Sequence, residues 1–286
     1  MKKYDFIITK DYESIYFFLK EAGFSENFIK NLRKKEGFLK INNEIVFMNH
    51  PLKKDDVLSI VGNPNTSTSI MHCILPLDIV YEDDYYLLLN KPSRLSSMPN
   101  KSHYTHNLAG AICHYLHDDE FTLRIVNRLD KDTAGLLLVA KDSIALNALK
   151  DFKKIYHAIC CGEIDKDLVV DKPILTITEN GVNQNKRVLS HLGKRATTFV
   201  HPIKTNGKYT LIELKLINGR THQIRVHLSS IDHPLLGDCL YGSPSNLIDH
   251  TALLCKKISF YHPFLNQTLT FEIDYTDDFK ALLNEL

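Results

Sequence analysis

Apolar positions recur at helical spacing from Ser14 to Ala22, where Ile15, Phe18 and Leu19 share a face, and again from Ser25 to Lys34 with Phe28, Ile29 and Leu32. Ser25 stands where a hydroxyl can cap the second helix. Two short strand-like runs follow, FLKI and EIVF, joined by Asn42-Asn43, residues that tolerate the left-handed backbone of a tight hairpin. Val57 to Val61 forms a third run, and the polar stretch Gly62 to Ser69 then breaks the pattern. These boundaries predict a small α/β module over residues 1–61, a linker over 62–75 and a larger domain over 76–286.

In the larger domain, two β-rich runs flank the acidic turn Glu82-Asp83-Asp84, a helix is expected from Asn107 to Leu116, and the wholly apolar Gly135 to Ala140 reads as a buried strand. Lys153 to Gly162 alternates as a strand. Leu216 to Ile231 reads as a strand end, a turn at Asn218-Gly219 and a helix, and Thr176 to Arg195, with Asn180-Gly181 inside it, reads as a loop or hairpin. The expected fold is α+β, the larger domain carrying a mixed, largely antiparallel sheet.

The 286 residues carry 35 Lys plus Arg against 34 Asp plus Glu, a net charge of +1 that by itself argues against a polyanionic partner. Resolved along the chain, that changes: residues 186–228 hold nine basic groups and one acid, Glu213. Lys30, Arg33, Lys34 and Lys35 crowd the end of the second predicted helix. Asp5, Lys10, Asp11 and Glu13 interrupt any leader-like apolar run, and nothing approaches the roughly 20 apolar residues that cross a bilayer, so a cytoplasmic protein is expected. Six cysteines are scattered without a Cys-x-x-Cys pair, and the adjacent Cys160 and Cys161 read as core. His222 and His227 lie five apart with no acid beside them, which disfavours a metal site.

Chemistry concentrates in the polar loop Arg128-Leu-Asp-Lys-Asp-Thr133, which leads straight into the buried strand and so sits at a sheet edge. Asp130, with Arg128 two residues away, is either an ionised carboxylate able to act on a glycosidic carbon or a turn residue paired with that arginine. Spacing alone favours the second. Tyr156, between basic residues, is either a stacking platform for a base or a core tyrosine. Arg220, at the turn, can point at a site where the helix begins.

The first module, with two helices, a basic helix end and a small β unit, resembles the RNA-binding fold of small-subunit ribosomal protein four. A more specific resemblance rests on motifs in order. Asn127-Arg-Leu-Asp-Lys-Asp-Thr-Ala-Gly-Leu-Leu-Leu-Val-Ala-Lys141, Lys154-Ile-Tyr-His-Ala-Ile-Cys-Cys-Gly162, Gly219-Arg-Thr-His-Gln-Ile-Arg-Val-His227 and His233-Pro-Leu-Leu-Gly-Asp-Cys-Leu-Tyr-Gly242 resemble the RluA-type pseudouridine synthases. Leu89-Asn-Lys-Pro92 and Phe260-Tyr-His-Pro263 fit the same family.

The resemblance implies isomerisation of uridine to pseudouridine in ribosomal or transfer RNA, after the base is flipped out, with no cofactor and no metal. It implies that Asp130 is the catalytic aspartate, that Arg220 pairs with it, and that Tyr156 stacks on the uracil and takes part in the late loss of the carbon-five proton. Arg128 would help extrude the nucleotide, His222, Gln223 and Arg225 would contact RNA, and Lys30, Arg33, Lys34 and Lys35 would hold RNA on the first module. A monomer is expected. Two positions depart from the family pattern, Asn127 for the usual His and Ala134 for the common Ser. Two other readings compete: a non-catalytic RNA-binding or ribosome-assembly protein, and a glycoside hydrolase using Asp130 and Asp132. Intact Asp130, Tyr156 and Arg220 weigh against the former, and a chain without Trp to form a sugar platform against the latter.

Overall fold

The computed structural model describes residues 3–34, 37–61, 70–99, 105–116, 124–179 and 182–286, with backbone only at 179 and 182–185. Lys35, the linker segment 62–69 and the Asn180-Gly181 turn lie outside the described residues.

Lys3–Ile7 (β1), Ile15–Glu21 (α1), Glu26–Arg33 (α2), Leu39–Ile41 (β2), Glu44–Ile45 (β3) and Val57–Val61 (β4) build the first unit, its antiparallel sheet ordered β1-β4-β2-β3. The Ser25 hydroxyl accepts from the Phe28 amide at 3.3 Å, which starts α2 at Glu26. Asn42 and Asn43 both take left-handed φ, 50° and 75°, as the two-residue hairpin requires. Strand β1 was not expected: Tyr4 points into the core while Lys3, Asp5 and Ile7 face solvent.

The rest comprises Ile79–Glu82 (β5), Tyr86–Lys91 (β6), Leu108–Leu116 (α3), Arg124–Ile125 (β7), Ala134–Ala140 (β8), Ser143–Ala148 (α4), Lys150–Cys161 (β9), Leu168–Asp171 (β10), Ile174–Glu179 (β11), Val182–Leu189 (β12), Thr197–Thr205 (β13), Tyr209–Leu216 (β14), Gln223–Ser229 (α5), Leu253–His262 (β15), Gln267–Glu272 (β16) and Asp277–Leu283 (α6). The main sheet runs β10-β13-β14-β9-β15-β8-β6-β5, with β16 on β15 and β7 on β8, while β11 and β12 form a separate hairpin. Pairing is antiparallel except between β8 and β15, so the fold is mixed α+β with a largely antiparallel sheet. Every residue of β8 is buried, which explains its unbroken apolar run. Gly135 sits there at φ +106°, and a Cβ would fall 2.4 Å from the Cys255 carbonyl oxygen, so the close approach of β8 to β15 needs glycine.

The first unit is seated on the second. Ile144 and Ala148 of α4 complete the core around Tyr4, Leu19, Ile29 and Leu32. Tyr4 packs 5.4 Å from Phe264, which stacks on Tyr85 at 4.1 Å, and the Ser25 amide donates to Asn147 Oδ1 at 2.9 Å. Among the described residues no helix is long and apolar enough to cross a membrane.

Candidate active site

A cleft of about 660 Å³ opens where the loop between β7 and β8, strand β9, strand β12 and the start of α5 converge. Among the described residues, six cationic side chains line it, Arg128, Lys131, Lys154, Arg187, Arg220 and Arg225, against a single carboxylate, Asp130.

The loop that carries Asp130 is fixed from three sides. Asp130's own carbonyl accepts from the Thr133 amide at 3.1 Å and closes a turn. The Ser97 hydroxyl donates to the Leu129 carbonyl at 2.8 Å. Beneath it, the fully buried Lys91 ammonium donates to the carbonyls of Pro92, Leu95 and Lys131 at 2.7, 2.9 and 3.1 Å. Burial pushes Lys91 down to about 7, against the pull of Asp132 and Asp130. The carboxylate of Asp130 stays partly exposed at the mouth of this framework.

Helix α5 supplies the opposite wall. His222 takes a left-handed φ of 57° just ahead of the helix, and its Nε2 lies 4.0 Å from Asp130 Oδ2. Burial holds His222 below its ordinary range, so the ring is neutral near pH 7 despite Asp130. One turn on, Arg225 grips the fully buried Asp238 with two hydrogen bonds of 2.7 Å, and its guanidinium lies 5.2 Å from the Tyr241 ring centre. Burial alone would lower Arg225, but Asp238 and then Asp130 keep it raised.

Tyr156 comes up from β9, directly opposite Cys255 on β15. Burial drives its hydroxyl well above the ordinary value, with Cys255 and Asp130 adding to the rise, so it stays protonated at neutral pH. The Lys154 ammonium, two residues earlier on the same face, lies 5.7 Å from the Tyr156 ring centre.

The RNA pseudouridylate synthase family model matches residues 85–230, which contain the Asp130 loop, Tyr156 and Arg225. The chain belongs to this family. An RNA pseudouridine synthase of Bacillus subtilis, YjbO, is 34% identical over 274 residues, covering 92% of this chain and 95% of the relative. The ribosomal large subunit pseudouridine synthase D of Vibrio parahaemolyticus is 35% identical, covering 74% and 71%. Human RNA Pseudouridylate Synthase Domain Containing 4 shares the fold, with a TM-score of 0.56 at 23% identity over 72% of this chain and 92% of that one. The protein is therefore an isomerase that converts uridine to pseudouridine in RNA.

The synthase brings Arg128, Asp130, Tyr156, Arg220, Gln223 and Arg225 into one cleft, with His222 beside Asp130. The expected pairing of Arg220 with Asp130 is not formed. Arg220 lies in the turn ahead of α5 and gives its Nε to the Arg195 carbonyl at 3.1 Å, while the buried guanidinium that feels Asp130 is that of Arg225. Gln223 and Arg225, expected as RNA contacts, have their polar ends engaged inside the protein. The Gln223 amide nitrogen donates to Thr197 O and Thr198 Oγ1 at 3.0 and 3.1 Å, and its oxygen accepts from the Arg220 amide at 3.0 Å. Arg128 is exposed at the cleft, and Lys30, Arg33 and Lys34 are exposed on α2, outside it.

Lys91, Asp238 and Tyr241 build this site without having been singled out in the sequence. All three lie inside motifs that carried the family resemblance, Leu89-Asn-Lys-Pro92 and Gly237-Asp-Cys-Leu-Tyr-Gly242. A polar residue in the middle of an apolar motif was the available signal.

Proposed function

We propose that the synthase uses Asp130 to open the glycosidic bond of a uridine flipped into the cleft of large-subunit ribosomal RNA. The observation that carries this reading is that, among the described residues, Asp130 is the single carboxylate lining a cleft that six cations also line. Such a cleft draws in the RNA backbone and leaves one group able to act on the sugar. Asp130 is partly exposed and held in place by the turn to Thr133, with neutral His222 4.0 Å away and the charge of Arg225 near enough to be felt. It works as the nucleophile at C1′ or as the base at C2′. Tyr156 supplies a ring for the uracil, and its hydroxyl takes part when the carbon-five proton leaves. Flipping is required because a stacked base hides its glycosidic bond, at about a few kcal/mol. Arg128, exposed at the rim, fills the vacated stack; Lys30, Arg33 and Lys34, exposed outside the cleft, hold RNA together with Lys35. Relatives named as large-subunit synthases support ribosomal RNA as substrate. A site complete within one chain supports a monomer, and a ribosomal substrate supports a cytoplasmic protein.

Asp130→Asn tests the assignment. Pseudouridine is mapped in ribosomal RNA by carbodiimide-blocked reverse transcription, in a strain lacking the protein and complemented with wild type or mutant. The wild type restores one or more stops and the mutant restores none. Full restoration by the mutant would remove Asp130 from the mechanism.

A further inference from the structure

We propose that Lys154 is a catalytic residue that stabilises the uracil anion released when the glycosidic bond opens, an assignment that rests on the reading of Asp130 and Tyr156 given above. Isomerisation breaks N1–C1′, and the bonding electron pair leaves on N1, spread over O2 and O4. The ribose is held meanwhile either as an ester of Asp130 through C1′ or, after Asp130 removes the C2′ proton, as a glycal. C5 then attacks C1′, expelling the Asp130 carboxylate from the ester or, on the glycal route, as Asp130 returns its proton to C2′; the C5 proton departs and N1 regains a proton, so product and substrate are isomers. On either route the base is an anion while it rotates. An anion forming in the cleft is stabilised by a fixed positive charge beside it.

Two of the other cations in the cleft are engaged by the protein and two, Arg128 and Lys131, are exposed at its rim. Arg225 is bound at both nitrogens to Asp238, and Arg220 gives its Nε to Arg195 O. Lys154 differs in three respects. It is partly buried and lines the cleft on the same face of β9 as Tyr156, with its ammonium 5.7 Å from the ring on which the uracil rests. Among the described residues no carboxylate pairs with it, and its near neighbours are the Phe152 ring at 5.9 Å and the open edge at Gly219, where an added Cβ would stand 3.6 Å from Nζ. Burial lowers its pKa, with the Cys255 thiol opposing, so the ammonium is weakly hydrated and a strong donor to a developing O2 or O4 anion.

The test compares wild type, Lys154→Met, Lys154→Arg and Asp130→Asn in single-turnover reactions on large-subunit ribosomal RNA transcribed with uridine or with 5-fluorouridine. Consumption of the N-glycoside is read by nuclease digestion and chromatography, and RNA affinity is read by filter binding. Fluorine stabilises the departing anion by itself and blocks the later proton loss at C5, so the readout isolates the first step. Lys154→Met is expected to slow uridine turnover roughly a hundredfold, the loss typical of one electrostatic donor to a transition-state charge. Its defect on 5-fluorouridine should be at least about tenfold smaller, since each tenfold corresponds to only about 1.4 kcal/mol of charge stabilisation. Lys154→Arg keeps most of the rate. Equal defects on the two RNAs, or a Lys154→Met enzyme as fast as wild type, overturn the proposal. Should Lys154→Met fail to fold by circular dichroism, Lys154→Gln makes the same comparison. An active Asp130→Asn enzyme overturns the underlying reading of the site, whereas an inert Asp130→Asn beside a fast Lys154→Met overturns only the role of the lysine.

Discussion

The side-chain amide of Asn127 bridges two residues of β8 as a neighbouring strand would: its nitrogen donates to the Leu136 carbonyl at 3.0 Å and its oxygen accepts from the Leu138 amide at 2.8 Å. The bridge is buried and joins the Asp130 loop to the strand that follows it. Replacing Asn127 with Ala leaves a buried N–H and a buried C=O without partners, at about 1–3 kcal/mol each when unrelieved. Asn127→Ala should therefore lower stability by ~2 kcal/mol in urea unfolding and lower kcat more than it raises KM, because the carboxylate loses its fixed position. Unchanged unfolding would show that water replaces the amide without loss.

A second consequence concerns Arg225 and Asp238. Both are buried, and the pair is bidentate at 2.7 Å. Removing one member of such a pair strands a charge, at about 3–5 kcal/mol. Asp238→Ala should lose that much stability and most activity, because the freed guanidinium is drawn toward Asp130. Asp238→Asn, which keeps shape and one acceptor, should fall between Ala and wild type in both measurements. If Ala and Asn behave alike, charge rather than geometry sets the role of the pair.

Why Arg220 was the expected partner of Asp130, and Arg225 the one found near it, is a question of helix phase. Both arginines follow the Asn218-Gly219 turn, and the choice depends on the left-handed residue His222 and on where α5 begins, neither of which periodicity determines. The loop with Asp130, the buried strand after it and the Tyr156 strand were all legible, because each carries a strong local pattern. The parallel pairing of β8 with β15 was not, since it joins Gly135 to Cys255 across most of the domain. Nor was β1, whose outward Ile7 blurs its alternation. Lys91 ends a strand and reads as surface, yet three carbonyls draw it fully inside.

Acid should weaken the fold through His227. Its Nε2 donates to the Lys172 carbonyl at 2.9 Å and its Nδ1 lies 2.9 Å from the Thr198 hydroxyl, so the buried ring is neutral, and burial lowers its pKa. The unfolded chain takes up this proton near pH 6.5 and the folded one refuses it until lower pH, so stability is full above about 6.5 and falls as pH drops below it. His157 and His222 are lowered by burial as well and add in the same direction. Urea midpoints at pH 5.5 and 7.5 should differ for wild type, and His227→Gln should reduce the difference. A midpoint independent of pH over that span would contradict the neutral assignment.

The seat of the first unit on the second rests on Tyr4, whose hydroxyl donates to the carboxylate of Asp142. The same carboxylate caps α4, its other oxygen accepting from the Ile144 and Ala145 amides at 2.9 and 2.8 Å, and it follows β8 closely in sequence. Around this bond Phe264 packs on Tyr4, Phe6 and Tyr85. Tyr4→Phe removes one hydrogen bond to a charged group, about 1.5–3 kcal/mol, but leaves Asp142 its two backbone donors. Phe264→Ala removes an aromatic contact from both units, of the kind that costs about 3 kcal/mol or more when fully buried. Amide exchange should respond locally. In Phe264→Ala the amides of β1 and β4 should exchange faster, while those of β8, buried between β6 and β15, keep their protection. Uniform acceleration across both sheets would mean that the two units unfold together and that this contact holds the whole chain rather than the seat alone.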